Sequence, residues 1–232
     1  IIMLFLDNSY QKEFECKIVD IKNNQIILNQ TIFYAKSGGQ PGDTGSLSNN
    51  ENNVNIIETV FDEEKNIIHI TEEDIKFKIK EKIRGRINWK TRYKHMRMHT
   101  SLHLLCSIIP FDVTGGQIGY DKSRLDFNVQ DSKIDKEEIE LKINEIVKQD
   151  HQISYQWITN EELDKQPDLV RTMSVKPPRT TNKIRLVKIG NVDIQPCGGT
   201  HVRSTKEIGE IRIGKIENKG KMNRRVNLSI ND

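Results

Sequence analysis

The stretch Trp89-Lys-Thr-Arg-Tyr-Lys-His-Met-Arg-Met-His-Thr-Ser-Leu-His-Leu-Leu-Cys-Ser-Ile-Ile109, closed by Pro110, separates two parts of the chain with different character. It holds no Gly or Pro, and Met96, His99, His103 and Cys106 recur along it at helical spacing. It therefore reads as a helix of about 20 residues that the proline stops. Upstream, short apolar or alternating runs at 15–20, 25–28, 54–60, 66–70 and 75–83 are broken by Asn and Gly clusters at 23–24, 37–45 and 48–53. That punctuation predicts several short strands and a small barrel or sandwich. Downstream, 126–129 reads as a strand. Residues 136–149 read as an amphipathic helix carrying Ile139, Leu141, Ile143, Ile146 and Val147, N-capped by Asp135 with Glu138 placed as in a capping box. Residues 152–158 and 183–189 read as strands around a loop region with Pro167 and Pro177-Pro178. The segment 207–230 reads as two more strands joined at Lys219-Gly220-Lys221.

The chain has 232 residues, 35% hydrophobic and 30% charged, enough to bury a core without disulfides or metal supporting it. Six Pro and 14 Gly exclude collagen-like and Pro-rich disordered classes. Three well-separated cysteines, Cys16, Cys106 and Cys197, do not make a secreted disulfide framework. The opening apolar run, 1–6, is too short for a membrane span or a signal-peptide core. A soluble cytoplasmic protein with no membrane partner is expected. The net charge of +3 conceals an asymmetry: residues 1–88 hold 11 Lys+Arg against 14 Asp+Glu, and 89–232 hold 25 against 19. A basic C-terminal part points to a polyanion partner on that side, although solvated charged faces produce the same split.

Two short motifs carry chemistry. In His99-Thr-Ser-Leu-His103 the histidines lie four apart and share one helix face. In Cys197-Gly-Gly-Thr-His201 a thiol and an imidazole flank a Gly pair that can turn sharply. Either alone is commonplace. Together they offer two nitrogens from a rigid helix with a sulfur and a nitrogen from a loop, a donor set that suits Zn²⁺. His95 continues the helical stripe and is a fifth candidate, but one helix face seldom aims three successive turns at one ion. Thr100 stands where a His-Glu-x-x-His peptidase carries its general base, which disfavours a peptidase. A third feature, Tyr34-Ala-Lys-Ser-Gly-Gly-Gln-Pro-Gly-Asp-Thr-Gly45, packs four glycines into eight residues and permits close backbone approach, or is simply a long β-loop. No Gly-Lys-Ser/Thr follows it, so a phosphate-gripping loop and a nucleotide cofactor are not supported.

These residues carry a family resemblance. Thr31-x-Phe33-Tyr34 followed by Ser37-Gly-Gly-Gln-Pro-Gly-Asp43-x-Gly45 resembles the glycine-rich motif of alanyl-tRNA synthetases and their free-standing relatives, the AlaX editing proteins. Trp89-x-x-Arg92-x-x-x-Met96-Arg97-x-His99-Thr-x-x-His103 and Cys197-Gly-Gly-Thr-His201-Val resemble the two halves of that family's editing site. Asp126-Phe127, Gly209-Glu210-Ile211 and 219–226 match later segments, in the expected order, so that the likeness runs from about 28 to 228. Ser37 stands where many AlaX proteins have a third Gly. The long aminoacylation portion of a synthetase is missing and the glycine-rich part is present, as in a medium-length AlaX.

The resemblance implies an α+β fold: a small N-terminal β-barrel over 1–86 and a two-layer α/β editing domain over 87–232, like that of alanyl- and threonyl-tRNA synthetases. It implies an ATP-independent hydrolase that deacylates alanine tRNA mischarged with serine, with glycine as the second candidate. His99, His103, Cys197 and His201 become ligands of one zinc ion and, with Gln40, the catalytic set. Thr31, Gly38, Gly39, Gln40, Arg92, Arg97, Arg224 and Arg225 become substrate contacts. Lys90, Lys94, Lys219 and Lys221 extend the phosphate-facing set, while Arg92 and Arg97 have the alternative of pairing with buried carboxylates such as Asp126. The resemblance leaves the oligomeric state open.

An aminoacyl ester is already activated, so an oriented water and a stabilised oxyanion suffice. Zinc would polarise the carbonyl, activate water or hold the amino group. Three protein ligands leave a position open and four close it, so His201 is expected to bind loosely or to act beside the metal. Sparing alanine needs a polar group that depends on the serine hydroxyl, and Thr31 and Gln40 are the candidates. The competing readings are a zinc hydrolase of another ester or amide, and a non-catalytic, zinc-stabilised nucleic-acid-binding module.

Overall fold

The computed structural model describes residues 1–72, 74–129, 134–170 and 183–231, so Pro177-Pro178 lies outside the described residues. The chain divides into two compact units, Ile1–His95 and Met96–Asp232. The fold is of the α+β class, with a closed barrel, two further antiparallel sheets and few helices.

The strands of the first unit are β1 (Ile2–Met3), β2 (Glu13–Lys22), β3 (Gln25–Leu28), β4 (Gln30–Thr31), β5 (Gly45–Ser48), β6 (Asn53–Phe61), β7 (Ile67–Thr71) and β8 (Lys82–Ile87). Six of them close a barrel in the order β2-β3-β7-β6-β5-β8, every neighbour antiparallel, while β1 and β4 form a short parallel pair. Alternation produces this shape. Along β2, Phe14, Cys16 and Ile18 are buried while Glu13, Glu15 and Lys17 are exposed, the period of a strand with one face on a core. Closure then pairs edges that would otherwise invite aggregation. Phe33, Leu28, Leu47, Ile56 and Phe77 complete the interior.

Of the expected strand over 75–83 only Lys82 and Ile83 lie in a strand, the start of β8. Lys80 adopts a left-handed backbone (φ 71°), and Glu81 N–H donates to Lys78 O at 3.1 Å, so a turn intervenes and β8 starts at Lys82. Apolar alternation is blind to such a turn because Ile75 and Phe77 still point into the core.

The glycine-rich segment divides by role. Gly38 and Gly39, at φ 55° and 81°, form the centre of a two-residue turn in which Ser37 and Gln40 exchange backbone hydrogen bonds of 3.2 and 2.8 Å, the sign pattern of a type I′ hairpin. Gly42 meets a different constraint: a Cβ there would lie 2.0 Å from Thr59 O.

The segment also delivers Asp43 to Arg92, near the start of α1 (Trp89–Ile108). Both are buried, Arg92 at 0% exposure. Its Nε donates to Asp43 Oδ1 and Oδ2 at 3.1 and 3.0 Å, Nη1 to Ser9 O at 3.0 Å and Nη2 to Ile32 O at 2.5 Å, with a further short Nη2 contact to Asp43. Asp43 Oδ2 also accepts from Tyr34 N–H at 2.6 Å. The pair thus meets the condition for burying charge, that each partner be neutralised and hydrogen-bonded.

In the second unit α1 continues, and β9 (Val113–Gln117), β10 (Ser123–Asn128), β14 (Ile211–Asn218) and β15 (Asn223–Ile230) form an antiparallel sheet ordered β14-β15-β10-β9. A second sheet, β11-β12-β13, joins β11 (Ile153–Thr159), β12 (Lys183–Ile189) and β13 (Asp193–Pro196). The helix α2 (Lys136–Lys148) begins at Asp135, whose carboxylate accepts from Glu137 N–H and Glu138 N–H. Glu138 turns its own carboxylate to Lys142 rather than back to the cap. On α2, Asn144 exchanges hydrogen bonds of 2.8 and 2.9 Å with the backbone of Ile211, satisfying part of the β14 edge. A single-turn helix, α3 (Asn160–Asp164), follows β11 with a Thr159–Glu162 capping box. Among the described residues no helix is long and apolar enough to cross a membrane.

Replacing Arg92 by Met should strand the Asp43 carboxylate and destabilise the first unit by about 3–5 kcal/mol. Arg86→Ala, which removes an exposed 3.2 Å pair with Glu13, should cost at most about 1 kcal/mol. Urea unfolding followed by circular dichroism reads both. Equal losses for the two variants would contradict this account of the buried pair.

Candidate metal centre

On α1, His99 and His103 are one turn apart on one face, with ring centroids 5.1 Å from each other. The β12–β13 hairpin then carries the chain to Cys197-Gly198-Gly199-Thr200-His201. One ligand atom from each of His99, His103, Cys197 and His201 lies within 4.8 Å of all the others. Cys197 Sγ is 3.3 Å from His201 Nε2 and 3.5 Å from His99 Nε2. The ring centroid of His201 lies 4.2 Å from that of His99 and 4.5 Å from that of His103. The three imidazoles are buried and Cys197 is partly so.

A second set of groups holds these four. Cys197 N–H donates to Arg185 O at 3.0 Å, and Arg185 Nε returns a bond of 3.0 Å to Cys197 O while its Nη2 donates to Gly199 O. The Arg185 guanidinium lies 4.6 Å over the Tyr155 ring. With the loop so fixed, Gly199 N–H points at Cys197 Sγ, 3.3 Å away. Asp193, buried and accepting from Gln195 Nε2 at 2.8 Å, lies 3.4 Å from His103 Nδ1. Thr100 Oγ1 is 3.1 Å from His201 Nδ1. Carboxylate and hydroxyl partners of this kind orient metal-binding histidines.

The electrostatics follow from packing. Burial disfavours the Cys197 thiolate, but the neighbouring His99 and His103 outweigh it and hold the thiol well below its usual range. Burial likewise opposes the charged form of His103, yet the adjacent Asp193 carboxylate and Cys197 lift it to about 9. His201 is pressed well below the ordinary histidine range by burial and by the neighbouring His99. A sulfur held toward its ionised form, with imidazole nitrogens that are all free once His103 gives up its proton, is the donor set that binds a divalent ion preferring nitrogen and sulfur. The residues therefore fit a metal of that class.

Residues 184–227 match the model of the threonyl and alanyl tRNA synthetase second additional domain, and residues 2–91 match that of class II (A) tRNA synthetases. An alanyl-tRNA editing protein AlaX-M of Methanosarcina acetivorans is 35% identical over 100% of this chain and 99% of its own length. Another, of Saccharolobus solfataricus, is 37% identical over 96% of each. The chain belongs to the AlaX-M family. It also resembles longer proteins in part: an alanine–tRNA ligase of Pyrococcus abyssi is 35% identical over 92% of this chain but only 24% of the ligase.

The other candidate residues of the sequence are distributed over both units. Thr31, Gly38, Gly39, Gln40 and Arg92 lie in the first. Thr31 is fully buried: its Oγ1 accepts from Phe33 N–H at 3.0 Å and lies 2.9 Å from His69 Nε2. His69 Nδ1 faces Ile26 O at 3.1 Å, so that nitrogen carries the ring hydrogen. Nε2 then accepts the Thr31 hydroxyl hydrogen. Burial, which holds His69 down at about 4, keeps the ring neutral. Gln40 is buried and the Gly38-Gly39 turn exposed. His95, also buried, belongs to the first unit and is not in the four-residue group. Of the cations in the second unit, Arg97 donates to Ile208 O at 2.9 and 2.7 Å, Arg225 holds both oxygens of Asp126, and Arg224 donates to Asn218 Oδ1 at 2.9 Å. Asp126 thus pairs with Arg225 and Arg124, while Arg92 pairs with Asp43. Sequence reasoning missed Arg185, Asp193 and Gln195. Each sits on a strand where its side chain type alone reads as a solvent-facing residue.

Metal-free protein should take up one Co²⁺ with a thiolate-to-metal charge-transfer band that Cys197→Ser abolishes; a parent without that band would contradict the site. Ligation needs His103 neutral, while without metal it keeps its proton up to about 9. Uptake should therefore release that proton, and the apparent affinity should rise by up to about tenfold per pH unit through the neutral range. A flat affinity profile over that range would rule out proton displacement at His103.

Proposed function

We propose that the chain is an aminoacyl-tRNA deacylase that clears alanine tRNA mischarged with serine or glycine, with one zinc ion held by His99, His103, Cys197 and His201. The observation that carries this reading is the buried group of three histidines and one cysteine in a member of an editing family. Zinc there would supply Lewis acidity toward the ester. His201 Nε2, 3.3 Å from Cys197 Sγ against 3.5 Å for His99 Nε2, supports ligation rather than a separate station beside the ion. Its depressed basicity points the same way, since a nitrogen that resists protonation donates its lone pair at neutral pH and makes a weak base.

Selectivity is a separate task, because correctly charged alanine tRNA has to survive. A group whose hydrogen bond needs the serine hydroxyl rejects alanine by leaving itself unpaired. The groups assigned to that role are Thr31 and Gln40. Thr31 gives its hydrogen to His69 and one lone pair to Phe33 N–H, which leaves one lone pair as an acceptor. The serine hydroxyl would be read as a donor. The exposed Gly38-Gly39 turn offers backbone for close approach to the substrate, and Lys221 and Arg224, at the β14–β15 turn, supply phosphate contacts.

The test is deacylation of Ser-, Gly- and Ala-charged alanine tRNA by zinc-loaded and chelator-treated protein. Hydrolysis of the serine or glycine ester that is lost on chelation and restored by zinc supports the reading, as does survival of the alanine ester. Binding without turnover would overturn it in favour of a structural nucleic-acid module. Thr31→Val should slow serine-ester hydrolysis by roughly 10–100-fold, the equivalent of about 1–3 kcal/mol for a lost buried hydrogen bond. It should affect tRNA binding little, and Thr31→Ser should retain activity. Unchanged turnover in Thr31→Val would sink that assignment.

A further inference from the structure

Thr100 is the residue between the two helix histidines that occupies the slot where a His-Glu-x-x-His enzyme keeps its base. It is fully buried, and its Oγ1 makes three contacts: Met96 O at 2.9 Å, His201 Nδ1 at 3.1 Å and Val202 N at 3.4 Å. A hydroxyl has one hydrogen and two lone pairs. Met96 O can only accept and Val202 N–H can only donate. Only one assignment makes all three contacts hydrogen bonds: the hydroxyl hydrogen goes to Met96 O, and the two lone pairs receive Val202 N–H and a hydrogen from His201 Nδ1.

We infer that Thr100 is a positioning residue that fixes His201 as the Nδ1–H tautomer, so that Nε2 presents a bare lone pair to the metal centre. It rests on the reading of that centre as a zinc site, and it assigns the ring hydrogen of one ligand to a neighbour outside the donor set. The geometry across the ring agrees. Nε2 lies 3.3 Å from Cys197 Sγ, and that sulfur already accepts from Gly199 N–H at 3.3 Å, a donor other than His201. Two lone pairs facing each other across that gap are a pair of ligands waiting for a cation. The second histidine is held in another way: His103 Nδ1 faces the Asp193 carboxylate at 3.4 Å. One imidazole is therefore oriented by a neutral hydroxyl and one by an anion. The hydroxyl costs the site no extra negative charge, whereas the glutamate of a peptidase in the same slot would.

The decisive experiment is ¹⁵N NMR of the His201 ring in metal-free protein, compared for the parent, Thr100→Ser and Thr100→Val. The expected result is the Nδ1–H tautomer in the parent and in Thr100→Ser. In Thr100→Val the hydrogen should shift to Nε2, because a buried N–H facing methyl groups is costlier than a bare nitrogen there. Chelator competition should show zinc binding weakened by about 10–100-fold in Thr100→Val and restored in Thr100→Ser. A merely structural role would lower stability without moving the ring hydrogen. An Nε2–H tautomer in the parent would overturn the inference, and so would a Thr100→Val protein with unchanged tautomer and unchanged zinc binding. If Thr100→Val does not fold, the parent and Thr100→Ser spectra decide. A parent that takes up no zinc sinks the site reading, whereas zinc uptake with the Nε2–H tautomer sinks only the role of Thr100.

Discussion

A thiolate and three imidazoles buried within 4.8 Å of one another need a positive charge among them. A proton on His103 supplies it when no metal is bound, and a divalent ion would supply it better, by accepting four lone pairs at once. Much of the second unit is arranged around that requirement. The helix α1 supplies two nitrogens at a spacing fixed by its pitch. The β12–β13 hairpin ends where its next residues reach the same point. Arg185, on β12, then fastens the loop that bears Cys197 by gripping the carbonyls of Cys197 and Gly199.

The two units bury cations by different means. In the first, Arg92 spends its donors on the Asp43 carboxylate and two backbone carbonyls, a neutral assembly that anchors the start of α1 to the barrel residues of its own unit. In the second, Arg185 donates to loop carbonyls and stacks on Tyr155. A guanidinium suits both places because its planar fork satisfies several acceptors together, which a lysine ammonium does not. The loop that bears Cys197 is thereby set in place without reliance on bonds to any metal.

How far the sequence discloses this depends on whether a feature is periodic or relational. The barrel is legible because alternation is periodic, and α1 because its helical repeat runs unbroken to Pro110. The four donors are legible because His-x-x-x-His and Cys-x-x-x-His are local spacings. The turn within 75–83 is not, since Lys80 has no side chain signal for a left-handed backbone. Partners are least legible of all. Asp126 stood out as a carboxylate for Arg92, but Asp43 holds that arginine from 49 residues away. Thr100 reads in the sequence only as a missing glutamate, and Asp193 as an ordinary strand residue. Their roles exist only once the chain has brought His201 and His103 beside them.

The glycine-rich segment shows the same distinction within a single motif. Its local part, Gly38-Gly39, makes a turn that the residue types predict. Its relational part, Gly42, is dictated by the Thr59 backbone on another strand. The central claim is that all four side chains converge on one ion. X-ray absorption at the zinc edge of the loaded protein tests it most directly. The account predicts one sulfur at about 2.3 Å and imidazole nitrogens at about 2.0–2.1 Å. A zinc spectrum with no sulfur neighbour, or with an all-oxygen shell, would contradict it.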